Sequence, residues 1–471
     1  MDDASSPASV PGDTAVSLEG RSFRFDISAD TPLPPGSYVT LVEPSGRTSL
    51  GQVETRDVAG LSRACGLGSL LGVIDGEDRL NPRASSAFAV ASVRPAGPEL
   101  IELLHRASGA TLEVGTLLAS PETPARLVPH RFNRHTFWCG QSGSGKTYAL
   151  GVVLEQLLAH TDLPIVIFDP NADFVRLSEV RTDAAPADAA DLAARDIRVL
   201  RPGNGPGEHL HARFRSLPVK IKAAMLRLDP LVDREEYNSV LHLEEFLSVT
   251  ETRSILDRLR GSPDPSHHAL ALRIENLGLL DWDVWALNET AATEIIDTRP
   301  AATVLDLGGF QFAEEPLVAA VAVLDHLWAH REERRPVLLV IDEAHNLCSP
   351  DLDSPLQSVL REQIIQIAAE GRKYGLWLLL STQRPSKIHP GIISQCDNLV
   401  LMKMSSPADL AELGAVFGFA PPALLAQAPR FRQGEALFAG GFVPAPSVVK
   451  MRGRITYEGG IDVGVPLRGR P

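Results

Sequence analysis

Gly140-Gln141-Ser142-Gly143-Ser144-Gly145-Lys146-Thr147 fits the phosphate-binding loop pattern G-x-x-x-x-G-K-[ST] without a mismatch. Before it, Thr136-Phe137-Trp138-Cys139 is short, apolar and β-prone; after it, residues 148–158 are apolar at helical spacing. Strand, glycine loop and helix in that order are the setting the motif requires. The glycines let backbone N–H groups turn inward around phosphate oxygens, and the helix start adds free N–H groups and the positive end of its dipole. The expected nucleotide-binding residues are Gly140, Gln141, Ser142, Gly143, Ser144, Gly145, Lys146, Thr147 and Tyr148. Lys146, on the surface of the core, is expected to reach the β- and γ-phosphates, and the Thr147 hydroxyl to ligate magnesium. ATP and Mg2+ are the implied cofactors. A chance match in a glycine-containing loop is the bland alternative, and it leaves the flanking strand and helix unexplained.

A hydrolytic site needs a second half. Pro336-Val337-Leu338-Leu339-Val340-Ile341-Asp342-Glu343-Ala344-His345 is an apolar strand ending in two acids. Asp342 is expected to hold the magnesium shell, and Glu343 to orient and deprotonate the attacking water. Alone, the same run reads equally as a strand followed by an acidic helix cap; paired with the upstream loop, it reads as a nucleotide site. The next core strand, Leu376-Trp377-Leu378-Leu379-Leu380-Ser381, ends Thr382-Gln383-Arg384-Pro385. Gln383 is placed to sense the γ-phosphate, with a turn-forming polar residue as its alternative.

The chain has 471 residues, 44% of them hydrophobic and 22% charged, which suits a soluble protein of two or three domains. No apolar run approaches a membrane span, and Met1-Asp2-Asp3-Ala4-Ser5-Ser6-Pro7 has neither part of a signal peptide. Cys65, Cys139, Cys348 and Cys396 are too far apart for a zinc site or a disulfide framework, so a reduced, cytoplasmic protein is expected. The net charge of −14 argues against an outer surface that coats nucleic acid, yet leaves room for a local basic channel. Between Arg361 and Lys403, six Arg and Lys stand against three Asp and Glu, an excess of three positive charges that could face such a channel, with Lys387 as the residue to test.

Residues 1–14 are rich in Ser, Pro, Asp and Ala and are expected to be a disordered tail. Residues 15–120 carry short β-like runs, such as Ser22-Phe23-Arg24-Phe25 and Tyr38-Val39-Thr40-Leu41-Val42, separated by turn signals. That pattern predicts a small β-barrel suited to assembly or docking. Residues 121–203 and 300–450 alternate strands with helices and predict a doubly wound α/β core. Residues 204–299 break the rhythm with helical spacing, as in Val240-Leu241, Leu243, Phe246-Leu247 and Ile255-Leu256, and predict an inserted helical subdomain. Arg213, Arg215, Lys220 and Lys222 near its start read as a solvated face before a nucleic-acid contact. Residues 451–471 are expected to be an extended tail.

With these stretches in place, the chain resembles the HerA branch of the HerA–FtsK P-loop ATPases along nearly its whole length. The resemblance rests on Arg134-His135, Asp169-Pro170, Glu370-Gly371-Arg372-Lys373-Tyr374-Gly375, Gln383-Arg384-Pro385-Ser386 and Ile393-Ser394-Gln395-Cys396. It implies a RecA-like core with an N-terminal barrel of the HAS-barrel kind, and a homo-hexameric ring that moves double-stranded DNA through a central pore. It also implies that Arg372 acts in trans on the neighbour's nucleotide and that Arg134 assists at the subunit boundary. Asn171-Ala172-Asp173-Phe174 departs from the His-Gly-Glu-Tyr-like run usual there.

Other loop-bearing classes fit less well. Neither an Asn-Lys-x-Asp guanine motif nor a Leu-Ser-Gly-Gly-Gln run is present. Two expectations follow. One is an ATP-driven DNA translocase whose nuclease or other effector is a separate protein docked on the barrel, in DNA-end processing or phage defence. The other is a nucleotide-dependent ring that assembles and switches a partner enzyme without travelling along DNA.

Overall fold

The computed structural model describes residues 12–59, 62–76, 78–203, 207–243 and 254–460. The expected leading tail lies outside them up to residue 11, as do Phe246-Leu247 and the expected closing tail from residue 461. Two compact units divide the chain.

The first unit comprises Met1–Arg131, Gly143–Gly145 and Asn398–Arg452. Its described part begins earlier than the expected tail allows, because Asp13 accepts the Ser28 amide at 2.7 Å and β1 (Thr14–Ser17) starts at once. β2 (Ser22–Ser28), β3 (Tyr38–Val42), β4 (Thr48–Ala59), β5 (Arg63–Asp75), β6 (Arg79–Asn81) and β7 (Phe88–Pro95) follow. Hydrogen bonding runs β2-β1-β7-β3-β4-β5-β6, and a β2–β5 pairing closes a six-stranded barrel with β6 outside it. Alternation writes the core: Phe23, Phe25 and Ile27 of β2 point inward between exposed neighbours. A Cβ on Gly68 would run into the Phe23 ring, so this glycine makes room for the phenylalanine.

The expected barrel limit at residue 120 falls inside a hairpin. After α1 (Pro98–Ser108), β8 (Leu112–Leu117) and β9 (Ser120–Leu127) pair with each other, and β8 also pairs with β19 (Ser447–Met451). β19 continues through β18 (Glu435–Gly440) to β17 (Cys396–Leu401). Residues 398–452, expected in the α/β core, thus belong with the first unit. Their partners lie about three hundred residues away in sequence, beyond the reach of local pattern.

The second unit holds Phe132–Ser142, Lys146–Asp397 and Gly453–Pro471. Among the described residues its sheet has seven parallel strands: β10 (His135–Cys139), β11 (Ile165–Asp169), β12 (Ile197–Arg201), β13 (Glu208–His209), β14 (Ala302–Asp306), β15 (Val337–Ile341) and β16 (Leu376–Thr382). They lie in the order β13-β12-β14-β11-β15-β16-β10. Apolar runs such as Val337-Leu338-Leu339-Val340-Ile341 are buried at every position, as a sheet covered on both faces demands. The crossovers include α2 (Lys146–His160), α3 (Pro186–Ala193) and, after β14 and β15, two long helices, Glu315–Ala329 and Pro355–Glu370. Strand order and crossovers make this a doubly wound α/β fold. The insertion contains helices at Val219–Met225, Arg234–Leu241, Ser254–Gly261, Pro265–Asn276 and Ala292–Asp297, but its first strand-like residues, Glu208–His209, extend the sheet as β13. Arg213 and Lys220 pair with Glu294 and Glu362, whereas Lys222 is buried with its Nζ on the Arg215 carbonyl, so it belongs to no solvated face.

A buried clip ties residues 454–456 to α2. Glu155 Oε1 accepts from Arg454 Nε at 3.1 Å, from the Thr456 amide at 3.0 Å and from its hydroxyl at 2.5 Å; Oε2 accepts the Ile455 amide at 2.8 Å. The expected closing tail is therefore, over its described part, an ordered strap.

Candidate active site

Strand β10 delivers the glycine loop to the carboxyl end of the sheet. Gly143 and Gly145 take φ of +76° and +85°, the left-handed region that glycine enters without strain. A Cβ on Gly143 would meet nothing within 4 Å, so the residue is needed for its backbone and not for space.

Lys146 opens α2, but it is not on the surface of the core: only 7% of it is exposed. Its Nζ donates to Ser381 Oγ at 2.9 Å and to Asp342 Oδ1 at 3.1 Å, and lies 3.1 Å from Glu343 Oε1. Burial opposes the lysine's charge; the two carboxylates outweigh it and hold Lys146 above the ordinary lysine range. Glu343 shifts the opposite way. Burial pushes it up, but the His345 hydrogen bond and Lys146 bring it below the usual carboxylate range, so it is ionised at neutral pH, as a general base must be.

The fold explains how these groups meet. β16 lies between β10 and β15, so Ser381 reaches Lys146 from one side while Asp342 and Glu343 follow β15 on the other. Glu343 stands at φ +43° and ψ 48°, a left-handed conformation that costs a non-glycine residue about 1–3 kcal/mol and concentrates at functional sites. His345 Nδ1 lies 3.2 Å from Glu343 Oε2 and 3.2 Å from Thr382 Oγ1, joining the acid strand to the end of β16. Gln383 follows Thr382, whose carbonyl accepts the Gly140 amide at 3.3 Å, so it starts beside the phosphate loop. Sequence reasoning missed His345 and Ser381. The available signals were a histidine two residues past Glu343 and a hydroxyl at the end of an apolar strand.

Asp342 is 1% exposed, and its Oδ2 has no hydrogen-bond partner among the described residues. An open carboxylate oxygen beside the Lys146 ammonium and a glycine loop fits Mg2+ and a triphosphate. A cavity of about 430 Å³ opens at the same carboxyl ends, against Asp342, His345, Pro170 and Leu307, where doubly wound sheets place ligands. Thr147 lies half-buried in the first turn of α2. Tyr148 turns elsewhere: its hydroxyl accepts the Arg454 amide at 2.8 Å.

The turn after β11 accounts for the departure at residues 171–174. Asp169 accepts the amides of Asp173 at 3.0 Å and Phe174 at 2.7 Å, and Ala172 takes φ +59°, a conformation that glycine adopts freely. Burial pushes Asp169 up to about 7, against those two amides, and Asp173 up to about 6, with Asp342 adding to it.

Arg372 and Arg134 are not brought to this site. Arg372 sits in the turn Gly371–Tyr374 before β16, and Arg134 immediately precedes β10. Both are at the amino ends of strands whose carboxyl ends carry the phosphate loop and Gln383. At ~3.3 Å each, the seven residues of β16 span about 23 Å and the five of β10 about 16 Å, which keeps both arginines from the phosphates of their own chain. Of the basic segment, Lys387 pairs with Asp351 at 2.7 Å, and Arg361 donates to the Pro350 carbonyl at 2.9 Å.

A family model described as "Helicase HerA, central domain" matches residues 112–257. A DNA double-strand break repair helicase HerA of Pyrococcus furiosus is 22% identical over 451 residues, covering 84% of this chain and 80% of its own length. The helicase of the same name from Sulfurisphaera tokodaii is 24% identical over 377 residues, covering 73% and 70%. Among solved structures, VirB4 of Thermoanaerobacter pseudethanolicus superposes with a TM-score of 0.50 at 15% identity, over 73% of this chain and 97% of that one. That likeness shows a shared fold.

Proposed function

This chain belongs to the HerA family of P-loop ATPases, and from that premise we propose that it hydrolyses ATP, with Mg2+, to translocate double-stranded DNA as a homo-hexameric ring with the duplex in its central pore. The observation that carries the proposal is Lys146 held between Ser381, Asp342 and Glu343 at the carboxyl ends of parallel strands. Bound magnesium and triphosphate would supply the charge and the electrophilic phosphorus. With them bound, Lys146 would face phosphate oxygens in place of its two carboxylates, leaving Asp342 to hold the metal shell and Glu343 to orient and deprotonate the attacking water. His345 keeps Glu343 aimed, and Gln383 reads the γ-phosphate from the end of β16.

Arg372 and Arg134, far from their own loop, are suited to the nucleotide of an adjacent copy, where an arginine finger contributes about 10³–10⁵ in rate. The relatives' printed names, DNA double-strand break repair helicases, support DNA as the substrate and break repair as the setting; phage defence is the alternative setting. The barrel exposes Val58, Leu67 and Val90, which suits a docking platform for a separate nuclease or effector. Among the described residues no helix is long and apolar enough to cross a membrane, and none needs to for this role.

The test is ATP hydrolysis with and without long duplex DNA. Stimulation that falls steeply with salt is expected of a protein bound to DNA phosphates. Stimulation by a partner protein with no DNA effect would replace the translocase by the ring scaffold. The trans role is tested by co-assembling Arg372→Ala with Lys146→Ala. Each alone should be nearly inactive, and mixed boundaries with one intact lysine and one intact arginine should recover hydrolysis. Sparse Lys146→Ala in wild-type rings measures whether firing needs every subunit intact.

A further inference from the structure

Asp397, the second residue of β17, receives both arginines that stand apart from the phosphate loop. Arg372 Nη1 lies 2.5 Å and Arg134 Nε 3.6 Å from the same oxygen, Oδ2. The three side chains come from three segments, and each keeps between 33% and 47% of its surface exposed. Beneath them the floor is neutral. His135 is fully buried; its Nδ1 accepts the Leu378 amide at 2.9 Å, which leaves Nε2–H to donate to the Ala368 carbonyl at 3.0 Å. The turn carrying Arg372 is tightly defined: a Cβ on Gly371 would come within 2.8 Å of the Leu376 carbonyl oxygen, and Gly375 takes φ +84°.

We infer that Asp397 is a positioning residue, which gathers Arg134 and Arg372 into one guanidinium pair directed at phosphate oxygens on an adjacent copy of this chain. The inference rests on the reading that Arg372 acts in trans. Two guanidinium groups repel each other, and side chains this exposed would otherwise disperse into solvent. One carboxylate oxygen shared between them holds them together, with Arg134 Nη1 also on the Asn133 carbonyl at 3.0 Å, yet leaves a net positive charge and further N–H donors on both. An ordinary surface ion pair would satisfy one arginine; two on a single oxygen form an anion-seeking cluster.

Asp397→Asn keeps the shape and removes the charge. Misplacing a catalytic group by 1 Å costs about 10²-fold in rate. The expected result is therefore a fall in kcat of about 10- to 10²-fold, with KM for ATP near the wild-type value and partial recovery in Asp397→Glu. Asp397→Ser gives the same readings if the amide disturbs β17. Co-assembled with Lys146→Ala, whose arginines and Asp397 are intact, Asp397→Asn should regain hydrolysis, because its own phosphate loop is whole. Wild-type kcat in Asp397→Asn overturns the inference, and so does a rise, which would mean that Asp397 restrains the arginines. It is also overturned if co-assembly fails to relieve Asp397→Asn while it does relieve Arg372→Ala. In rings that tolerate sparse Lys146→Ala, failure to relieve Arg372→Ala refutes the trans reading itself, without reference to Asp397, and this inference with it.

Discussion

Gly151→Ala sets two effects of opposite sign against each other. The residue lies inside α2, where alanine is favoured over glycine by about 1 kcal/mol. The new Cβ, however, would stand 2.5, 2.6 and 2.8 Å from Cζ, Nε and Nη1 of Arg454. That guanidinium has nowhere to retreat: its side chain is 0% exposed, bound to Glu155 and Thr456, and the Phe174 ring lies 5.9 Å away. Overpacking of this kind costs about 1–3 kcal/mol, and expelling Arg454 instead would leave Glu155 buried without its cation, at about 3–5 kcal/mol. The clash therefore wins, with a net loss of about 1 kcal/mol. For a unit of this size that lowers the thermal midpoint by roughly 2–4 °C. Thermal unfolding of wild type and variant at one scan rate, followed by tryptophan fluorescence, measures it. Placing the substitution in an Arg454→Ala background should abolish the penalty and leave only the helical gain. An unchanged or raised midpoint in Gly151→Ala, or the same penalty without Arg454, would refute the reasoning.

Lys146→Ala should abolish turnover and, because Asp342 and Glu343 then face each other unpaired, lower the stability of the nucleotide-free protein by about 3–5 kcal/mol; wild-type hydrolysis in this variant would sink the site. Glu343→Gln should bind ATP but barely hydrolyse it, and a loss of affinity as large as that of Lys146→Ala would make Glu343 a ligand instead of the base. Burial, then the charge of Arg372, depresses His135 from 6.5 to about 4. The unfolded imidazole takes up a proton that the folded one refuses, so this contribution to stability is whole above pH 6.5 and falls away towards pH 4, by on the order of 3 kcal/mol. His135→Gln should flatten the stability profile over that range, and an identical slope in urea titrations would contradict it. Lys387→Glu should weaken DNA stimulation and spare basal hydrolysis; an unchanged DNA response removes Lys387 from the channel.

What the sequence made legible was local. The phosphate loop, the acid strand and the strand ending at Gln383 are runs of fewer than a dozen residues whose chemistry is written in consecutive positions, and the parallel sheet follows from their apolar character. The barrel announced itself through alternation and turns. What stayed hidden depends on pairing at long range. Nothing near Ser447 says that its strand will lie beside β8, whose residues stand far earlier in the sequence. Asp397 looks like any exposed acid until the starts of β10 and β16 bring two arginines to it. Lys146 was expected at a surface because motif alone does not show Asp342, Glu343 and Ser381 closing over it.

The clip between Glu155 and Arg454 also has a consequence for the order in which the protein is made. The two partners are 299 residues apart, so at 5–20 residues per second the ribosome needs about 15–60 s to supply the second after the first. Until then Glu155 has no buried cation, and α2, with the phosphate loop at its head, cannot settle into the sheet at full stability. A chain terminated before residue 454 would contain the whole glycine loop yet leave Glu155 of α2 without this buried partner. Residues 454–456, translated long after the glycine loop, thus add stability to the helix that the loop opens.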